Sequence, residues 1–265
     1  MTIKVALIGL GKMGRVSAKR ILESGDSQVV AAFDLENVGA DVGALAGVGG
    51  IGVKVTHPSE LANVLKSVKP DVAIDFTSAK ACIENAKTVA AAGVNMVIGS
   101  TGFTDEEVGQ LKDTLKSVGV VFSPNMSVGV NVFWKIIGEA ARNLKGYDIE
   151  VIEAHHRFKK DAPSGTAMKA VKVLAEAVGA DLKKDVVYAR HGDCKRRDGE
   201  IGVQSIRAGD IVGEHTVMFS TIGERFEVRH VAHSRDSFSS GIPSAVRFIK
   251  GRKGFYDMAD VLGLR

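Results

Sequence analysis

Gly9-Leu10-Gly11-Lys12-Met13-Gly14 has the spacing G-x-G-x-x-G, follows the apolar run Lys4–Ile8 and opens the helical stretch Met13–Leu22. Glycines let the backbone turn tightly there and let a pyrophosphate reach the free amides and positive dipole end of the helix. The spacing alone also occurs in Gly-rich turns that bind nothing. Here Asp34 lies 20 residues past Gly14, at the end of the strand-like run Gln28–Phe33. A carboxylate at that place hydrogen-bonds ribose hydroxyls, and strand, helix and acid together point to a dinucleotide site. Asp34 also repels a 2′-phosphate, and Leu35 follows where an arginine would favour one. NADH is therefore expected to be slightly favoured over NADPH, with Lys12, Arg15 and Lys54 as the cations available to offset that preference.

Outward from this motif, apolar runs alternate with helical stretches. Val72–Phe76, Asn95–Ile98 and Val120–Phe122 read as further strands, with Pro58–Lys66, Lys80–Ala92 and Asp105–Ser117 as the helices between them. Thr104 and Glu107 have capping-box spacing. This alternation predicts parallel βαβ units. The Gly-rich segment from Gly39 to Gly52 reads as an irregular loop at the domain edge. Beyond about residue 126 the pattern changes: Val130–Leu144 and Gly165–Val178 are predicted helices and Asp148–His155 a strand. Ile201–Ala208, Ile211–Thr221 and Arg225–His233 then follow as strands, with a hairpin turn at Ala208-Gly209-Asp210 and a helix over Phe238–Lys250. Val217, Phe219, Phe226, Val228 and Val231 supply one buried sheet face. The fold class expected is α/β: a Rossmann-type parallel-sheet domain over 1–126 and 237–265. A second α+β domain with a mostly antiparallel sheet is expected over 127–236.

Composition excludes several classes. The 265 residues are 45% hydrophobic and 25% charged, the balance of a globular protein. No apolar run is long enough to cross a bilayer, and the start lacks a signal peptide's cleavage region, so a cytoplasmic protein is expected. The net charge of +4 suits small anions and is too weak to indicate nucleic acid; no helix-turn-helix is visible. Cys82 and Cys194 are too few for a zinc site and are expected as reduced thiols.

Two further Gly/Ser-rich segments follow strands: Gly99-Ser100-Thr101-Gly102-Phe103 and Ser123-Pro124-Asn125-Met126. At the carboxyl ends of parallel strands such loops line the ligand crevice. Gly99, Ser100, Thr101, Ser123, Pro124, Asn125 and Met126 thus join Gly9 to Gly14 and Asp34 as cofactor candidates. The densest chemistry lies in Glu153-Ala154-His155-His156-Arg157-Phe158-Lys159-Lys160-Asp161-Ala162-Pro163-Ser164-Gly165-Thr166-Ala167. Two imidazoles and three cations precede a helix start whose hydroxyls and amides form a receptor for carboxylate or phosphate. Histidine and a neighbouring ammonium are suited to proton transfer near neutral pH. Adjacent histidines on an extended chain face opposite ways, which disfavours a metal chelate, so no metal is expected. Lys183-Lys184 and Lys195-Arg196-Arg197 read as solvated surface, His57, His191, His230 and His233 as structural or exposed, and Trp134 as packing on its helix.

The run His155-His156-x-x-Lys159-x-Asp161-x-Pro163-Ser164-Gly165-Thr166-Ala167 resembles the signature of the dihydrodipicolinate (4-hydroxy-tetrahydrodipicolinate) reductases. The resemblance spans the chain: it takes in Asp75-Phe76-Thr77, the two strand-end loops, and Ser127-Val128-Gly129-Val130-Asn131. It continues through Arg207-x-Gly209-Asp210-x-x-Gly213-x-His215 to Tyr256-Asp257-Met258. It implies hydride transfer from NAD(P)H to a cyclic imine dicarboxylate in lysine and diaminopimelate biosynthesis. His155 would be the proton donor or acceptor and Lys159 a proton donor, with His156, Gly165 and Thr166 as substrate contacts beside Ser164. It further implies a homotetramer built through the second domain's sheet, and closure over bound ligands. The phosphate loop departs from many members, which have G-x-x-G-R-M-G, one residue longer and with Arg where Lys12 stands. Two other functions share parts of this pattern: a related amino-acid or amine dehydrogenase, and an NAD-sensing regulator without turnover. The sensor has no need of a proton donor beside an anion receptor.

Overall fold

Short apolar runs alternating with amphipathic stretches fold as strands and helices in turn in the computed structural model, which describes residues 2–265. The chain divides into two compact units, Met1–Val128 with Phe238–Arg265, and Gly129–Ser237.

The first unit contains β1 (Ile3–Ile8), α1 (Lys12–Glu23), β2 (Ser27–Phe33), α2 (Val42–Ala46), β3 (Val55–Thr56), α3 (Leu61–Val68), β4 (Val72–Asp75), α4 (Ala79–Ala91), β5 (Asn95–Ile98), α5 (Asp105–Thr114) and β6 (Gly119–Phe122). Its sheet has the order β3-β2-β1-β4-β5-β6, with a seventh strand beside β6, and every pairing is parallel. That order reverses between β1 and β4, which opens a crevice at the strands' carboxyl ends. Strand periodicity sorts the side chains onto two covered faces. Val5, Leu7, Val72 and Ile74 pack with Ala18 and Ile21 of α1. Ala6, Ile8, Ala73 and Met96 pack with Leu65 of α3 and Ala86 and Val89 of α4. The capping box of α5 is formed, with Thr104 Oγ1 accepting from Glu107 N and the Glu107 carboxylate accepting from Thr104 N.

The second unit runs through α6 (Val128–Asn143), β7 (Asp148–His155), α7 (Gly165–Val178), β8 (Val186–Tyr188), β9 (Ile201–Arg207), β10 (Gly213–Thr221) and β11 (Glu224–Ala232). Its sheet is mixed, in the order β11-β10-β7-β9-β8: β7 pairs antiparallel with β10 and parallel with β9. Helices α6 and α7 cover one face, burying Trp134, Ile137, Val171 and Leu174 against Val151, Val203, Val217 and Phe219. The chain then returns to the first unit as α8 (Ile242–Ile249), β12 (Gly254–Tyr256) and α9 (Met258–Leu262). Strand β12 pairs with β6 as the seventh strand of the parallel sheet, and α8 adds Ile242, Val246 and Ile249 to the core on the α1 side.

Several expectations are corrected. The Ala208-Gly209-Asp210 turn is not a hairpin, because β7 lies between β9 and β10. The hairpin is at Ile222-Gly223, where Thr221 pairs with Glu224 and Gly223 has φ 99°. The Gly-rich loop contains the short helix α2, held by the Asp41 carboxylate, which accepts from Gly43 N at 2.8 Å and Gly52 N at 2.8 Å. The closing helix begins only at Ile242, after a 3-10 turn over Arg235–Ser239; Pro243 sits in its first turn, where a missing N–H is harmless. Phe226 stays 47% exposed although it stands opposite the buried Phe219. Arg196 is not solvated surface: it pairs with Glu150 and with Asp148 at 2.9 Å and donates to Glu200 O at 2.6 Å.

Both cysteines are free thiols, Cys82 buried and Cys194 exposed. Burial, with the Asp75 carboxylate beside it, pushes the Cys82 thiol far above its ordinary range. A thiol-specific chromogenic reagent is therefore expected to label one cysteine per folded chain and two after unfolding. Two labelled at the same rate in the folded protein would contradict that burial.

Candidate active site

In the first unit the crevice is shaped by glycines. Gly9 has φ +89°, and a Cβ built on Gly14 would stand 1.9 Å from Gly9 O. Helix α1 starts at Lys12, and no side chain among the described residues caps its N-terminus at Gly11, which leaves the first-turn amides available to an anion. The Asp34 carboxylate accepts from Leu10 N through Oδ2 and from Glu36 N at 2.8 Å through Oδ1. One lone pair per oxygen remains for a hydroxyl donor. The glycine cradle, uncapped helix start and acid fit a dinucleotide.

Asp75, at the end of β4 and fully buried, ties the neighbouring loops together. It accepts from Thr77 N at 2.9 Å, Thr77 Oγ1 at 2.7 Å, Asn85 Nδ2 at 2.8 Å and Ser100 Oγ at 2.7 Å. The Ser100 hydroxyl is thus spent on Asp75, while Thr101 is exposed. Ser123 Oγ donates to Asn125 O at 2.8 Å, and Asn125 Oδ1 accepts from Ser127 N at 2.9 Å. Leu10 and Met126 bury their side chains in the core, so of these cofactor candidates the two present backbone only. Gly99 is required by its neighbour, since a Cβ there would lie 2.2 Å from the Phe76 ring.

In the second unit, β7 ends at His155 and α7 begins after Ser164, whose hydroxyl accepts from Ala167 N at 3.2 Å. His155 Nδ1 lies 2.5 Å from Glu153 Oε2. Arg207 donates from Nη1 to Glu153 Oε2 at 2.9 Å and from Nη2 to Glu153 Oε1 at 2.8 Å. Ser164 N donates to Glu153 Oε1 at 3.1 Å. Burial works to raise the Glu153 carboxyl, but the His155 and Arg207 hydrogen bonds outweigh it and hold the group far below the usual carboxylate range. Lys159 pairs with Asp161 at 2.8 Å, and Arg207 Nη2 also donates to Asp161 O at 2.6 Å, which anchors the lysine's loop to the strand. His156 is half-buried, and its Nδ1 has no partner among the described residues. Gly165 is exposed and Thr166 half-buried on the first turn of α7; Trp134, buried from α6, donates to Thr166 O at 3.2 Å. Among the described residues no cluster of metal-ligating side chains occurs.

His215 sits opposite Glu153 across the sheet, with its ring edge-on to His155 at 5.3 Å and Nε2 at 3.1 Å from Ser164 Oγ. Burial, reinforced by the neighbouring His155, pushes it down to about 3, so it is neutral near pH 7. Its unfolded value, near 6.5, lies above the folded one. Between the two the unfolded chain binds more protons, and stability falls as the pH drops from about 6.5 toward 3. Burial acts the same way on His230, whereas the depressed Glu153 weakens folding only below its ordinary range, near 4.5. The thermal midpoint is expected to decline already between about pH 7 and pH 5, and His215→Gln to flatten that decline. An equal slope in the variant would contradict the assignment.

Sequence reasoning singled out neither Glu153 nor Arg207, His215 or Asp75 as site residues. One signal was present: Glu153 and His155, two apart on a strand, share a face.

A Rossmann-type crevice in one unit and a histidine beside a cationic, helix-capped receptor in the other define a nicotinamide-dependent oxidoreductase acting on an anion. Family models for the dihydrodipicolinate reductase N-terminus and C-terminus match residues 3–126 and 129–262. A 4-hydroxy-tetrahydrodipicolinate reductase of Methanothermobacter thermautotrophicus is 47% identical over 99% of both chains. The solved structure of dipicolinate-bound dihydrodipicolinate reductase from Paenisporosarcina sp. TG-14 is 28% identical, with TM-score 0.77 over 97% of this chain and 98% of that one. An amine dehydrogenase from Mycobacterium smegmatis, 16% identical with TM-score 0.62 over 96% of this chain and 94% of its own, shares the fold alone. The chain belongs to the dihydrodipicolinate reductase family. It is an NAD(P)H-dependent oxidoreductase of lysine and diaminopimelate biosynthesis.

Proposed function

We infer that the chain catalyses the reaction its relatives are named for, reducing 4-hydroxy-tetrahydrodipicolinate, a cyclic imine dicarboxylate, to tetrahydrodipicolinate. The first unit is the dinucleotide-binding domain, holding the cofactor through Gly9 to Gly14, Asp34, Gly99 to Thr101 and Ser123 to Met126. A bound reduced nicotinamide supplies the hydride. The second unit, the substrate-binding and oligomerisation domain, supplies the proton and the grip. Loss of the 4-hydroxyl as water gives the conjugated imine; hydride addition to it leaves electron density on an enamine carbon or nitrogen, and His155 delivers the proton that quenches it. Lys159 donates as a second acid and offsets negative charge. The amides of Gly165 and Thr166, with Ser164 and His156, receive the carboxylates. The observation that carries this reading is a buried imidazole hydrogen-bonded to an ionised carboxylate beside a capped helix start.

Loss of the reduced-nicotinamide absorbance with freshly generated substrate tests the activity. Oxidation with another imine or keto acid, and none with this one, would favour an amine dehydrogenase instead. Asp34 supports NADH over NADPH, so kcat/KM is expected to be higher with NADH; a strong NADPH preference would overturn that. The protein acts in the cytoplasm as a homotetramer. Assembly through the outer sheet face is supported by the lack, among the described residues, of a helix covering that face and by Ile206, 46% exposed on it. Sedimentation at a single-chain mass would contradict it.

A further inference from the structure

The Glu153 carboxylate is the point where four donor atoms from three residues of the second unit meet. Its Oε2 faces His155 Nδ1 at 2.5 Å and Arg207 Nη1 at 2.9 Å; its Oε1 faces Ser164 N at 3.1 Å and Arg207 Nη2 at 2.8 Å. The carboxylate is completely buried, and β-sheet register brings its partners to it: His155 lies two residues along the same strand, and Arg207 stands opposite His155 on β9. An ionised carboxylate only accepts, so the proton between it and His155 belongs to the imidazole.

We propose that Glu153, clamped by Arg207, is a positioning residue for the reduction: it fixes the proton on Nδ1 of His155, leaves Nε2 as the transferring nitrogen, and locks that ring to the helix start that receives the substrate. The inference rests on the assignment of His155 as the proton carrier. When Nε2 releases its proton, the imidazole stays neutral with Nδ1–H still directed at Glu153, and before release the carboxylate stabilises the imidazolium. Arg207 keeps the carboxylate from taking that proton, because both oxygens already accept its guanidinium in a two-pronged grip. The same arginine holds Asp161 O, so one cation orders the acid, its partner and the Lys159 loop. Glu153 touches neither substrate nor cofactor in this scheme and acts through His155 and Ser164.

The test is Glu153→Gln in the full-length enzyme, read by steady-state kinetics and by nitrogen-15 NMR of labelled histidine, with the His155 signals assigned from their loss in His155→Asn. The wild type is expected to show the Nδ1–H form at His155. In Glu153→Gln the amide also donates, so that preference is lost, and kcat falls on the order of 10²–10³-fold while the KM for NADH stays within about twofold. An unchanged tautomer overturns this inference and leaves the role of His155 standing. A changed tautomer with wild-type kcat overturns the role of His155 and this inference with it. Should Glu153→Gln fail to fold, Arg207→Lys keeps the charge but loses the fork. It is expected to lower kcat on the order of tenfold with the same weakened Nδ1–H preference, and wild-type values of both would equally overturn the proposal.

Discussion

His155→Ala is expected to lower kcat on the order of 10²–10⁴-fold, the usual range for loss of a positioned general acid, while the substrate KM changes by only a fewfold. The split follows from where His155 stands. It is 7% exposed at the end of β7, with Nδ1 committed to Glu153 and its ring against His215, so it contributes little charge to substrate capture. In the proposed function the carboxylates are received instead by the start of α7 and by Lys159. Lys159→Ala is accordingly expected to worsen both constants, since the proposal gives its ammonium both a binding charge and a proton to donate. Steady-state kinetics of both variants, with NADH saturating, checks the pair. A wild-type kcat in His155→Ala would remove that residue from the chemistry.

Gly14→Ala is expected to weaken cofactor binding and to destabilise the fold, whereas Gly11→Ala weakens binding alone. A methyl at position 14 would lie 1.9 Å from Gly9 O, a backbone atom with no side-chain freedom to yield. Alanine's helix propensity favours the substitution by about 1 kcal/mol, but overpacking of this kind costs about 1–3 kcal/mol and pushes α1 away from β1. At Gly11 no atom lies within 4 Å of a built Cβ, so the free protein accommodates the methyl, which then projects where the pyrophosphate must approach. The expected results are a thermal midpoint several degrees lower and NADH affinity weaker by about tenfold or more in Gly14→Ala. In Gly11→Ala the midpoint is unchanged and the affinity falls. Calorimetric titration and thermal melting separate the two, and wild-type NADH affinity in Gly14→Ala would overturn the phosphate-cradle assignment.

The parallel sheet was legible because its strands are buried on both sides and read as near-continuous apolar runs between amphipathic helices. The glycine spacing and Asp34 then located β1 and β2 without further help. Short elements were not legible. Helix α2 has 5 residues and β12 has 3, too few to establish a period, and both depend on partners far along the chain. The mixed sheet was misread at one turn for a related reason: Ala208-Gly209-Asp210 carries ordinary hairpin chemistry, and only the insertion of β7 between β9 and β10 shows that it is a crossover.

The candidate site was legible where it is contiguous, from His155 to Thr166. Its supporting groups were not, because Arg207 reaches Glu153 from 54 residues away and His215 lies 51 residues beyond Ser164. Sheet register brings them together, and local pattern does not encode register between distant strands. Buried polar groups of this kind must find partners, so Glu153 on the apolar face of β7 was itself a sign that a cation would be found opposite.

Binding of pyridine-2,6-dicarboxylate tests the central claim most directly, through a crystal structure of the enzyme with that planar analogue and NADH. Its carboxylates are expected on the amides of Gly165 and Thr166 and on the Lys159 ammonium, with His155 Nε2 turned toward the ring. An analogue seated away from the start of α7, with His155 facing elsewhere, would contradict the account.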